Sequence, residues 1–170
     1  MVEYNYSFPP VTMTIPMKEK WSKYGYVFTV GNKFAGVSTA QLLIQNPSSN
    51  ARTLYIDSIL VSGTDGADIT MHFNPAVTTA GTALTPVSTN PASGASSNAH
   101  VEYGGTYDTT SATPLPPNIL PGGQGNFAVG GTLATGDPLL LPPGTSLLIT
   151  VTNSAGTTAN YAITVTYLEK

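Results

Sequence analysis

Apolar residues recur in this chain at every second position, and that spacing restricts the fold to sheets. Across residues 68–73, Ile69, Met71 and Phe73 fall on one side and Asp68, Thr70 and His72 on the other. Successive side chains of a strand point to opposite faces, so this pattern describes a strand with one buried face. The same reading applies to Tyr26, Phe28 and Val30, and to Ala40, Leu42 and Ile44 against Gln41, Leu43 and Gln45. It applies again to Ala99, Val101 and Tyr103 against His100 and Glu102. Phe127 and Val129 mark a short strand among glycines. Leu147, Ile149 and Val151, then Tyr161, Ile163, Val165 and Tyr167, close the series, with Thr150, Thr152, Thr164 and Thr166 opposite them. Residues 53–61 are apolar on both sides, which predicts a central strand covered twice.

Turn residues separate these runs: Asn46-Pro47, Gly63 to Gly66, Asn74-Pro75, Gly104-Gly105, Pro121-Gly122-Gly123, Pro142-Pro143-Gly144 and Asn153 to Gly156. Short strands at such spacing predict an all-β fold, an antiparallel β-sandwich of jelly-roll-like form with about eight or nine strands. Residues 145–152 and 159–168, joined by a short polar loop, read as the strongest local hairpin, with Ile149 and Ile163 in the core. Residues 76–99 and 104–125 are rich in Gly, Pro, Ser and Thr and read as long ordered loops.

Residues 1–22 stand apart as an extended N-terminal arm ahead of a single sandwich domain over 23–170. Tyr4, Tyr6 and Phe8 alternate with Asn5 and Ser7, Pro9-Pro10 interrupts, and Val11, Met13, Ile15 and Met17 resume with the opposite parity. The prolines exclude the arm from a central strand. An extended apolar segment in water invites association. Tyr4, Tyr6, Phe8, Val11, Met13 and Ile15 are therefore the candidate assembly residues, laid on the chain's own sheet edge or added to a neighbouring subunit.

Charge bears on the same question. Asp, Glu, Lys and Arg make up 9% of the 170 residues, against about 25% in an average soluble domain, and net charge is −3. A surface of Thr, Ser and Asn carries little repulsion against a close neighbour, which suits a protein packed against copies of itself or a partner. Lys18, Lys20 and Lys23 around Trp21 form the only basic cluster, interrupted by Glu19, so the broad basic footprint of a nucleic-acid binder is missing. No apolar run approaches a membrane span, and residues 1–20 lack the layout of a secretory signal. The chain has no Cys, hence no disulfide or thiolate metal site. Production in a cytoplasm followed by assembly fits these facts.

The inventory for catalysis is thin. Asp68 and His72 share a strand face, and His100 points outward, yet no G-x-S-x-G and no H-E-x-x-H exists. Asp65 and Asp68 would bind Ca²⁺ only if Asp108 or Asp137 converged on them, and residues 122–131 lack the G-K-[ST] of a phosphate loop. Asn5-Tyr6-Ser7 is an isolated glycosylation sequon. The expectation is a non-enzyme with no cofactor and no metal.

Three stretches together carry a resemblance: Asn46-Pro47-Ser48-Ser49-Asn50-Ala51-Arg52-Thr53-Leu54-Tyr55-Ile56, Phe73-Asn74-Pro75 with Gly81-Thr82-Ala83-Leu84-Thr85-Pro86-Val87, and Leu141-Pro142-Pro143-Gly144-Thr145-Ser146-Leu147. The pattern resembles small β-sandwich virion structural proteins of tailed bacteriophages, which decorate capsids or build head and tail appendages. It spans residues 40–168 and leaves the arm uncovered. The resemblance implies a sandwich that forms homo-oligomers, often trimers, and binds a major capsid protein or another virion protein, with no catalytic residues to carry over. On that footing the expected function is a capsid decoration (cement) protein located in the virion. The alternatives are a tail or fibre receptor-binding module, for which Tyr103 and Tyr107 would be the aromatic platform, and a filament subunit that exchanges its N-terminal strand.

Overall fold

A computed structural model describes residues 17–121, 129–133 and 138–170. The first element is a short helix, α1 (Met17–Lys23). Its sequence, MKEKWSK, contains no β-branched residue and is rich in good helix formers. The helix stops in a Schellman turn: the N–H of Tyr26 donates to Trp21 O at 3.0 Å and that of Gly25 to Ser22 O at 2.9 Å. Gly25 supplies the left-handed residue this turn requires, at φ +77°, and Trp21 packs edge-on against Tyr26 with centroids 5.5 Å apart. The end of the expected extended arm, residues 17–22, is thus helical. Its alternation ends where the run Lys18-Glu19-Lys20 removes the β-branched residues a strand favours. Tyr4, Tyr6, Phe8, Val11, Met13 and Ile15 lie outside the described residues, as do the sequon and Phe127.

The rest is almost entirely strand. In chain order the strands are β1 (Val27–Val37), β2 (Thr39–Asn46), β3 (Leu54–Gly63), β4 (Ala67–Phe73), β5 (Ala76–Thr79), β6 (Thr82–Leu84), β7 (Val87–Ser88), β8 (His100–Tyr103), β9 (Thr106–Asp108), β10 (Thr113–Pro114), β11 (Asn118–Leu120), β12 (Val129–Leu133), β13 (Leu139–Leu141), β14 (Thr145–Asn153) and β15 (Ala159–Glu169). One sheet runs β12-β3-β15-β1-β7, with β13 also on β3. The other runs β10-β4-β14-β2-β8-β6, with β11 also on β4. A third, two-stranded ribbon pairs β5 with β9. All pairings are antiparallel, and the two large sheets pack face to face as an all-β sandwich. The described residues hold fifteen strands where eight or nine are expected, because the stretches read as loops contain six short strands, β5 to β7 in 76–99 and β9 to β11 in 104–125, and β13 precedes β14.

The long strands never pair with their neighbours in sequence. β1 lies in the first sheet, β2 in the second, β3 in the first, β4 in the second, and β14 and β15 divide in the same way. The expected 145–168 hairpin is therefore corrected. β14 pairs with β2 and β4, β15 pairs with β1 and β3, and the loop between them arches from one sheet to the other. Asn153 shapes that arch, its Oδ1 accepting from Ala155 N at 2.8 Å while its own N–H donates to Ser38 O at 2.8 Å. Both strands point their apolar sides at one shared core whether they pair or face each other, so alternation is the same in the two cases.

The core takes the alternating residues as expected. Ile149 and Ile163 are fully buried, with Phe28, Leu42, Ile44, Val61, Val101, Leu147, Tyr161 and Tyr167 around them. Phe28 and Tyr167 stack at 5.9 Å. The doubly covered strand is not where the sequence places it. On β3 the outward Leu60 is 45% exposed, so that strand is covered once. It is β2 and β14 that are buried on both sides: Leu43 and Leu148 alternate with core residues, are cross-strand partners and are 0% exposed.

Candidate assembly surface

The residues that could support chemistry are dispersed, and most are engaged structurally. Asp65 receives the Asn153 amide at 3.4 Å. Asp108 accepts from the hydroxyl of Thr110 at 2.6 Å and its N–H at 2.9 Å, and these bonds hold its carboxyl below the usual value. Asp137 lies outside the described residues, and among the described residues no group of three or more His, Asp or Glu side chains could hold a metal ion. His72 is half-buried, with Leu148 and Pro114 as cross-strand neighbours, which corrects its expected place on an open solvent face. Its Nδ1 is buried without a hydrogen-bond partner among the described residues.

Two buried carboxylates escape sequence reasoning. Glu102 sits on the outer parity of β8, opposite Leu43 and Ala83, yet is 2% exposed. His100 Nε2 lies 3.2 Å from its Oε2. Tyr107, on β9, is held against it: burial, then the neighbouring carboxylate charge, pushes the Tyr107 phenol up to about 12. Glu169, at the end of β15, is wholly buried. Its Oε1 accepts from the hydroxyl of Ser97 and from the N–H groups of Asn98, at 3.0 Å, and Ala99, at 3.4 Å. Ser97 Oγ also meets Tyr167 Oη at 2.7 Å, and burial raises that phenol well above its ordinary value. Glu169 ties residues 97–99 to the sandwich. The exposure expected of alternating polar positions fails at Glu102, where Tyr107 lies against it, whereas Glu169 follows the inward parity of Tyr161 to Tyr167.

Within residues 76–108, β6 and β8 extend the sheet containing β2, β7 pairs with β1 of the other sheet, and β5 and β9 form the separate ribbon that carries Tyr107. Tyr103 turns inward and packs edge-on against Phe34, centroids 5.9 Å apart. With one ring in the core and the other turned toward Glu102, Tyr103 and Tyr107 do not form the exposed platform a glycan would need.

Among the described residues, no strand or helix is paired over the outer face of the sheet containing β1, and the side chains at its centre are half-buried to exposed. Its cross-strand rows read Leu60–Thr164–Gly31, Ser58–Thr166–Thr29, Ser62–Ala162–Lys33 and Leu140–Tyr55–Leu168. Lys33 is the one charge in these four rows. Leu60 is 45% and Leu140 50% exposed, and Val87, opposite Thr29 on β7, is 58% exposed. Gly31 keeps the face flat: a Cβ there would come within 2.6 Å of Ile163 O and 2.7 Å of Thr164 Oγ1. Three strands of ten or eleven residues, spaced about 4.8 Å apart and rising about 3.3 Å per residue, present roughly 500 Å².

The same sheet has an open edge. Tyr26 O accepts from Glu169 N at 3.0 Å and Val27 O from Thr89 N at 2.9 Å, so the peptide groups of Val27, Thr29, Gly31 and Lys33 point away from β15. β7 covers only Phe28 and Thr29. From Val30 onward no strand pairs with this side among the described residues, and a cleft bounded by Gly31, Lys33, Leu84, Thr85 and Val87 runs beside it. The register breaks between Phe34 and Val37, leaving Val30–Phe34 as a straight stretch.

The most recognisable phrase in the sequence, Asn46 to Asn50, is a structural clasp. Asn46 is 1% exposed, and its Nδ2 donates to Arg52 O at 2.8 Å and Leu141 O at 2.7 Å, while its Oδ1 accepts from Asn50 Nδ2 at 2.8 Å. It joins the end of β2 to the residues just ahead of β3 and to the end of β13. No protein-family model matches the chain, and no curated protein matches its sequence.

Proposed function

We propose that this chain is a structural protein of a tailed-bacteriophage virion, a capsid decoration protein that forms homo-oligomers and binds the capsid lattice. The observation that carries the reading is the contrast between a sheet face whose outward Leu43, Leu148 and Glu102 are buried and a flat, sparsely charged face over which no strand or helix is paired among the described residues. The strand order supports it. We read β1-β15-β3-β12 facing β2-β14-β4-β10/β11 as an order compatible with two interleaved Greek keys, the jelly roll used in viral shells, lectins and cupins. The sequence phrases shared with β-rich virion proteins point the same way.

On this reading the protein acts through contact, with itself and with a major capsid or other virion protein. It performs no catalysis and engages neither nucleic acid nor membrane, and the virion is its location. Among the described residues no helix is long and apolar enough to cross a membrane. A face of roughly 500 Å² is short of the ~800 Å² per partner of a standard interface, so a second element must contribute. The N-terminal residues Tyr4, Tyr6, Phe8, Val11, Met13 and Ile15 are that element.

The test is native mass spectrometry of the full chain and of a chain lacking residues 1–16, together with antibody labelling of purified virions. A multimer that dissociates on truncation, and label over the head, is the expected result. A single-copy mass with no label on particles overturns the proposal.

A further inference from the structure

The geometry points to Val30–Phe34 of β1 as an acceptor for one added strand, and to residues 11–15 of a second copy of this chain as the strand that fills it. The donor's origin rests on the assembly reading above; the acceptor rests on the edge itself. The peptide groups of Gly31 and Lys33 face outward with no strand opposite them among the described residues, and the cleft beside them has Leu84, Thr85 and Val87 as its far wall. Lys33 and the bulge after Phe34 limit what can pair here, as edge guards do, and leave five residues of regular strand.

Residues 11–15 match that acceptor in length and parity. A strand laid along Val30–Phe34 has one side toward the inter-sheet space, where Val30, Phe34 and Leu84 lie, and the other beside Gly31, Lys33 and Val87. Val11, Met13 and Ile15 suit the inner side, and Thr12 and Thr14 continue the uncharged outer face. From Met17 back to Val11 an extended chain reaches about 20 Å. A neighbour's strand also supplies the contact area that the outer face of this sheet lacks.

The chain has no Cys, so introduced pairs give a clean readout. Full-length Lys33→Cys combined with Thr12→Cys or with Thr14→Cys is oxidised and run on a non-reducing gel. A disulfide needs Cα atoms about 4.4–6.8 Å apart, a separation that adjacent strands provide. One of the two pairs should yield covalently linked copies, and the single variants should not. Ile15→Asp, without any Cys, should reduce the assembled fraction at least tenfold by native mass. Thiols lost with no change in chain mass would mean that the strand folds onto its own copy, and would overturn the proposal. So would Lys33→Cys crosslinking as well alone as in a pair, or Ile15→Asp leaving assembly intact. Absence of a link in a chain that still forms multimers overturns this site and leaves the assembly reading standing. A wild-type mass of one copy overturns both.

Discussion

The two sheets of the sandwich share one core but differ on their outer faces. Behind the sheet containing β2 the outward positions Leu43 and Leu148 are as dry as the core, Glu102 is sealed beside Tyr107, and His72 is half-buried. Behind the sheet containing β1 the equivalent positions are mostly Thr, Ser, Gly, Ala, Tyr and half-exposed Leu, with Lys33 and, at the β3 bulge, Asp57 as the charges. On the covered face Tyr107 of β9 lies against Glu102. The other face has few charges to hold neighbours off, and among the described residues its β1 edge stops pairing after Thr29. A sparsely charged face and an edge unpaired among the described residues lie on the same sheet.

Truncation should separate the faces most sharply. Leu148→Ala removes a side chain buried between the sheet and its cover and should cost roughly 2–5 kcal/mol, whereas Leu60→Ala should stay within about 0.5 kcal/mol, both read by urea denaturation. Equal losses would mean that the faces are not different in kind. Assembly should show the opposite order. Leu60→Asp is expected to leave the melting temperature within a few degrees of wild type and to weaken self-association at least tenfold in sedimentation, since burying a Leu contributes about 1.5–3 kcal/mol. If association survives that charge, the outer face of the β1 sheet is not the contact.

The smallest effect concerns the cover. The Tyr107 phenol is raised in the folded state from about 10 to about 12, so folding favours its neutral form. The stability this contributes is complete below pH ~10 and is lost as pH rises through about 12, because the unfolded chain ionises first. Tyr107→Phe should therefore flatten part of the loss of stability in alkali. Tyr161 and Tyr167, raised mainly by burial, keep the remainder. Alkaline denaturation followed by tyrosine absorbance checks this, and an unchanged profile would detach Tyr107 from the cover.

The sequence makes the core legible and leaves the partition between sheets unresolved. Parity places Phe28, Ile44, Ile69, Val101, Ile149 and Ile163 inside, and the structure has them there, because a strand's inward positions depend only on its own pleat. Which sheet a strand joins depends on partners distant in sequence, so β14 and β15 read as a hairpin although they face each other across the core. The same nonlocality hides Glu102: its alternation is that of an exposed residue, and Tyr107, on a separate ribbon, lies against it. Residues 17–23 hold apolar residues only at Met17 and Trp21, a helical spacing, and good helix formers with a Gly25 stop complete the helix. As for the assembly surface, residues 53–61 read as apolar on both sides because a bulge at Asp57-Ser58 changes the parity: Leu54, Ile56, Ile59 and Val61 all face inward, and Tyr55 and Leu60 share the outer side.

The exchange of sheets at each long strand has a consequence for how the molecule comes into being. β15 is last in the chain and central in its sheet, flanked by β1 and β3. Until it is synthesised, those two strands have no ladder between them, and no earlier pair of long consecutive strands forms a local unit to wait in. The chain must therefore close as a whole, through contacts between distant residues, on the slow side of single-domain folding. A chain lacking β15 would have neither the flat face nor a supported β1 edge, because both are built on this one strand.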